Sequence, residues 1–287
     1  MYEASLKQLT EHVYYYVDHR NKRRPLVACI VGDDQVLFID AGISIEHMQD
    51  MLSQFENMHY HQDLPRLGVI TNSHISHVLG LQACHFPYIA HKISKENLQN
   101  MFKWDWSDKS LDQLVRQNKL SAREVKNLKK EWPNREDLEI QIPCIIYRHQ
   151  LELDLGHISC MLEHIESDFS EDSTIVYLKE DQVLFIGDCM DFGVQHITPC
   201  YSKQLFTVID LLLSYDAKYY VFASENKIMD RNEFIEHCEY LRLLGATVSQ
   251  NYDDIDAIEE ELGKIKKEDM KYIHAFIEGL KEGRQEL

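Results

Sequence analysis

His74 and His77 stand three residues apart in Thr71-Asn72-Ser73-His74-Ile75-Ser76-His77-Val78-Leu79-Gly80, directly after the apolar run Leu67 to Ile70. A loop at the C-terminal end of a strand is where functional groups collect, because a rigid element aims them and the loop leaves them accessible. Imidazoles in such a place have metal-ligand chemistry open to them. Hydrogen bonding within the loop is the other use of the same nitrogens, and the spacing alone keeps both readings open. Asp188 and Glu225 follow the strand-like runs Gln182 to Ile186 and Tyr219 to Phe222. Their oxygens suit zinc, iron or manganese, but the first could equally cap a helix and the second could be solvated. His91, His157 and His196 carry no motif and read as structural or surface residues.

The elements that must position these groups follow from pattern. His12 to Val17 reads as a strand, and Ala28 to Val31 and Gln35 to Ile39 read as two more around a Gly32-Asp33-Asp34 turn. Ile45, Met48, Met51, Leu52 and Phe55 share one helix face. Asp34-Gln35-Val36-Leu37-Phe38-Ile39-Asp40 nearly repeats in Asp181-Gln182-Val183-Leu184-Phe185-Ile186-Gly187-Asp188, the mark of two related halves. Residues 93 to 137 form a charged helical insertion, with helices opening at Ser94 and Ser107 and a Ser121-x-x-Glu124 capping box. Met101, Phe102, Trp104 and Trp106 give it aromatic surface for a lid, a substrate wall or a dimer contact. Asn232 to Leu244, Ile255 to Leu262 and Glu268 to Leu280 read as further helices, and the C-terminal part from about 254 to 284 packs on an outer face or a second subunit.

Over roughly residues 5 to 250 this series resembles the metallo-β-lactamase superfamily. The resemblance implies an α/β fold, the four-layer αββα sandwich, as one domain spanning 1–287. The family motif His-x-His-x-Asp-His falls on Asn72, His74, Ser76 and His77, Asp40-Ala41-Gly42 resembles its Asp-x-Gly loop, and Asp188 takes the metal-bridging position. A further family histidine is replaced by Phe169 in Ser167-Asp168-Phe169-Ser170-Glu171-Asp172-Ser173, with His164 five residues earlier, and another by Glu225. The metal residues the resemblance leaves are therefore His74, His77, Asp188 and Glu225. One family site would keep only His74 and Asp188; the other could assemble His77, Asp188 and Glu225.

If four ligands together contribute about 10–16 kcal/mol, each carries on the order of 3–4. The resemblance thus implies no cofactor, or one weakly bound divalent metal, zinc foremost. It implies a non-catalytic or weakly catalytic ligand-binding or regulatory protein. The alternative is a mononuclear hydrolase of a small ester, thioester, lactone or phosphodiester, with Asp168 or Asp172 as catalytic base.

Composition bounds the partners. With 287 residues and 44% hydrophobic content the chain can bury a full core. Its net charge of −18 argues against nucleic acid. The basic stretch Arg20-Asn21-Lys22-Arg23-Arg24 reads as a solvated hairpin loop. Without an apolar leader or an 18-residue apolar run, no membrane partner is expected. Seven scattered cysteines suit reduced buried thiols. The expected setting is the cytoplasm, with a small-molecule ligand and a homo-oligomer as possible partners.

Overall fold

Ala28 and Ile30 face one side of their strand and Cys29 and Val31 the other, and Leu37 and Ile39 alternate in the same way with Val36 and Phe38. Every one of these side chains is buried. Strands apolar on both faces need cover on both, and the chain supplies it with a second sheet on one side and helices on the other. In the computed structural model, which describes residues 4–21, 23–58, 63–192, 200–263, 265–266 and 269–285, the strands are β1 (Ser5–Gln8), β2 (Val13–Val17), β3 (Val27–Val31), β4 (Val36–Ile39), β5 (Arg66–Val69), β6 (Tyr88–His91), β7 (Ile145–Tyr147), β8 (Gln150–Asp154), β9 (Ser159–Ile165), β10 (Ser173–Leu178), β11 (Val183–Gly187), β12 (Tyr219–Phe222) and β13 (Lys227–Asp230). The helices are α1 (Ile45–Glu56), α2 (Ile75–Val78), α3 (Lys92–Met101), α4 (Asp108–Arg116), α5 (Ala122–Glu131), α6 (Gln204–Ser214), α7 (Arg231–Asn251), α8 (Ile255–Leu262) and α9 (Met270–Gln285).

The strands form two sheets, β1 to β7 in sequence order and β13-β12-β11-β10-β9-β8. In each, an antiparallel hairpin precedes a parallel step: β3 and β4 are followed by β5, β10 and β11 by β12. This is the topological content of the near-repeat, Val36 to Asp40 against Val183 to Asp188. Val13, Ile30, Leu37 and Val69 interdigitate with Leu162, Val176, Val183 and Phe185 in the layer between the sheets. Phe38, Met48 and Phe55 fill the layer between the first sheet and α1, and Leu184, Ile186, Ile209, Phe234 and Leu241 that between the second sheet, α6 and α7. The result is helix, sheet, sheet, helix.

The insertion joins the first-sheet core through Leu98, Leu111, Val125, Leu128 and Trp132, while Ile258, Ile273 and Ile277 of α8 and α9 join the other. The α5 capping box forms as its Ser-x-x-Glu spacing requires. Three readings from the sequence are corrected by the structure. α3 begins at Lys92, capped by the His91 ring, whereas Ser94 is buried and donates to the Asp172 carbonyl at 3.3 Å. α7 runs on to Asn251, because Leu244 and Val248 extend its buried face. The third correction concerns Arg24, expected in a solvated loop: it is 5% exposed, held among carboxylates described below. No helix among the described residues is long and apolar enough to cross a membrane.

Candidate functional site

β4, β5 and β11 end at the same edge of the sandwich, and the residues just beyond them meet. Asp40 follows β4 with φ +62, a left-handed conformation costly for a side chain with a Cβ. Its carboxylate is what holds it there. Asp40 Oδ1 accepts from the Thr71 backbone N–H at 2.7 Å and its Oδ2 from the Thr71 hydroxyl at 2.8 Å. Oδ2 also lies 2.7 Å from His77 Nδ1. The other ring nitrogen, Nε2, lies 2.7 Å from Asp188 Oδ2. Asp188 accepts in addition from the Ser224 N–H at 3.0 Å and hydroxyl at 2.9 Å. Gly187 brings Asp188 close by adopting φ +56, where a Cβ would stand 3.0 Å from the Thr71 hydroxyl.

His77 is therefore a wholly buried imidazole clamped between two carboxylates. Burial works to lower its pKa, and the charges of Asp188 and Asp40 overcome that and raise it well above 6.5. For Asp188, burial works upward, and the His77 charge with the Ser224 hydrogen bonds carries it down to about 2. The two shifts together favour a protonated His77 ring beside an ionised Asp188. Beside it, burial and the neighbouring charges of Asp188 and Glu225 drive the Asp191 carboxyl well above the carboxylate range.

The other predicted residues make separate attachments. His74 caps α2, with Nδ1 2.6 Å from the Ser76 hydroxyl and Nε2 bonded to Glu124 of α5. Phe169 meets its ring edge to face at a centroid distance of 5.7 Å. Burial works to raise the Glu124 pKa, but the bonds to His74 and Ser121 push it down to about 2. Glu225 turns to Lys271 of α9 at 3.2 Å. Asp172 accepts the Ser73 N–H at 2.8 Å and the Ser170 hydroxyl, and Asp168 accepts the Ser202 N–H at 2.9 Å. The structure thus brings His77 and Asp188 together and gives His74, Glu225, Asp168 and Asp172 other partners. His91 stacks on His164 at 3.6 Å, and His164 donates to or accepts at no group of the array, its Nε2 facing the Glu171 carbonyl at 2.7 Å. His157 is exposed, and His196 lies outside the described residues. Among the described residues no group of three or more His, Cys, Asp or Glu side chains is disposed to hold a metal ion.

Helix α5 spans the mouth of this cleft, tied at both ends. Its first turn holds His74 through Glu124; its last places Glu131 on Arg24, with Nη2 to Oε2 at 2.9 Å and Nε to Oε2 at 3.0 Å. Arg24 also reaches Asp18 at 3.1 Å. Ser44 donates to Glu131 at 2.9 Å, and the Trp132 indole N–H to the Ile43 carbonyl at 2.8 Å. These partners were not legible in the sequence, with one exception: the capping box marks Glu124, whose carboxylate serves both Ser121 and His74.

His47 of α1 lies under the Asp40 loop, with Nε2 buried and unpartnered among the described residues. Burial, aided by Arg24, depresses its pKa to about 3. Because the unfolded chain takes up a proton there below about pH 6.5 and the native protein refuses it, stability falls as pH drops through that window. Relative to His47→Leu, the wild type is expected to lose about 2 kcal/mol between pH 7 and pH 5 in urea titrations; parallel curves would disprove the assignment.

Two sheets face to face, helices outside, and loops converging after β4, β5 and β11 define the chain's class: it has the metallo-β-lactamase fold. A metallo-β-lactamase from Pontibacter korlensis is similar over 84% of this chain and 99% of its own, with a TM-score of 0.55 at 14% identity. An archaeal metallo-β-lactamase superfamily protein from Sulfolobus tokodaii is similar over 91% and 93%, at TM-score 0.52 and 16% identity. A sec-alkyl sulfatase double mutant is similar over 92% of this chain but 46% of its own, at TM-score 0.59 and 14% identity. No protein-family model matches the sequence, and no curated protein does.

Proposed function

We propose that this is a metallo-β-lactamase-fold protein that has given up dinuclear zinc hydrolysis and works as a non-catalytic ligand-binding or regulatory protein. The observation that carries the reading is the 2.7 Å contact between His77 Nε2 and Asp188 Oδ2. Ligands bound tetrahedrally to zinc at about 2.0–2.2 Å stand roughly 3.3–3.5 Å apart. A separation of 2.7 Å is that of a charge-assisted hydrogen bond with the proton where the cation would sit. His74 and Glu225, the remaining candidate ligands, are engaged by Glu124 and Lys271. These donors do not fit a family zinc pair, and no step of a reaction is assigned to one. Asp168 and Asp172 are better suited to holding loops than to activating water, since each receives backbone N–H groups.

The test is metal content with thermal stability. Protein purified without chelator is expected to carry substoichiometric zinc, manganese and iron, and EDTA should leave its Tm unchanged. Stoichiometric metal, lost together with ester, thioester or phosphodiester turnover in Asp188→Ala, would replace this reading with the mononuclear hydrolase.

A further inference from the structure

The cleft above the buried array does not end at solid protein. Between α5, the His74 loop and the segment leading into β3 lies a pocket of about 290 Å³, with Ser224 among its lining residues. Its size is at the lower margin of the roughly 300–1,000 Å³ typical of small-molecule sites. Two guanidinium groups, Arg23 and Arg123, line it from opposite chain segments. Among the described residues neither side chain forms an ion pair or hydrogen bond, as is also true of Arg116 and Arg148, but only Arg23 and Arg123 share a pocket; Arg20, Arg24, Arg66, Arg135 and Arg242 bind carboxylates. In a chain with net charge −18, carboxylates to pair with are abundant. Two cations left free at one opening are therefore a local reversal of the surface field, which attracts anions.

A second observation points inward. Asn127 of α5 lines the same pocket and is 7% exposed, and its carboxamide oxygen is buried with no partner among the described residues. An unpaired buried amide oxygen costs about 1–3 kcal/mol, which marks this side chain as held for something other than its own stability. Its NH₂ end is not among the buried unpartnered atoms, and it is this end that can donate to an anionic oxygen. Glu124, also in the lining, directs its charge to His74 and the Ser121 N–H.

We propose that this pocket binds a small phosphomonoester, its phosphate held between Arg23 and Arg123 and its remaining polar atoms by Asn127. A phosphomonoester carries about −1.5 to −2 charges at pH 7 and three acceptor oxygens, which two guanidinium forks match in charge and geometry. The proposal rests on the reading of this cleft as a ligand site, and it supplies the ligand's class.

The probe is inorganic phosphate, titrated calorimetrically into the full chain, with acetate and chloride arms at matched ionic strength. Saturable phosphate binding is expected, weakened at least about tenfold in Arg23→Ala/Arg123→Ala, since each charge-assisted bond is worth about 1.5–3 kcal/mol. Both arginines are exposed, so that variant should keep the wild-type Tm. Asn127→Asp, which adds a like charge, should weaken binding as well. No saturable phosphate binding, binding equal in the double variant, or tighter binding of acetate than of phosphate would each overturn the proposal. A zinc titration separates the two readings: stoichiometric zinc with arginine-dependent phosphate binding would defeat the metal-free reading and leave the anion site standing.

Discussion

His77→Ala is expected to destabilise the protein by about 3–5 kcal/mol in urea or guanidinium unfolding, the cost of removing one member of a buried charge array. The reason lies in what remains. Asp40 and Asp188 would face each other as buried anions across a cavity, and Asp40 would keep its left-handed backbone with one fewer bond to hold it. A destabilised fold alone would not separate an ion array from ordinary packing, so a second readout is needed. In the wild type both imidazole N–H protons of His77 should be detectable by NMR at pH 7, because its pKa lies well above 6.5. Since its native pKa is raised, the contribution of His77 is complete below about pH 6.5 and is lost as pH rises through the native value, whereas that of Asp188, lowered to about 2, is lost as pH falls from the ordinary carboxylate range toward that value. A singly protonated ring at pH 7, or a loss under 1 kcal/mol on substitution, would show that the clamp is not what holds the loops together.

Arg24→Ala is expected to cost a similar 3–5 kcal/mol, with a different spatial signature. Arg24 is bonded to both Asp18 and Glu131, whose side chains are each only 2% exposed; Asp18 keeps Arg20 when Arg24 is removed, but Glu131 loses its one cationic partner among the described residues. Glu131 is also the C-terminal tether of α5 over the cleft. Hydrogen exchange in α5 and at Trp132 should therefore rise more than in α6 or α7, which pack on the other sheet. Arg24→Lys should rescue little, because a lysine cannot reproduce the two guanidinium contacts to one carboxylate. In a double-mutant cycle, Glu131→Leu should recover part of the loss by removing the unpaired anion. Additivity of the two changes would mean that the pair is not coupled.

How much of this could be read from the chain follows from what each feature depends on. The apolar runs Ala28 to Val31 and Val36 to Ile39, and the near-repeat at Val183 to Asp188, are local patterns, and the family resemblance they carry implied the sandwich and the loop edge where His77 and Asp188 lie. The capping box at Ser121 and Glu124 was equally local. Arg24 was misjudged because four of five residues in Arg20-Asn21-Lys22-Arg23-Arg24 are basic, and composition cannot show that Asp18, six residues away, and Glu131, 107 residues away, both turn to one of them. Asp40 was visible as part of an Asp-x-Gly loop, but not as the partner of His77.

The amino-acid order by itself determined the elements, since apolar runs and a 3.6-residue period mark strands and helix faces locally, and through the family resemblance it implied the layers and which residue types reach the loop edge. Only the tertiary structure decided what those residues do there. Whether His77 offers a lone pair or holds a proton depends on the placing of Asp40 and Asp188, which come from strands 37 and 111 residues away in the chain. Electrostatic interaction in a buried site depends steeply on distance and desolvation, and neither quantity is carried by any single stretch of sequence.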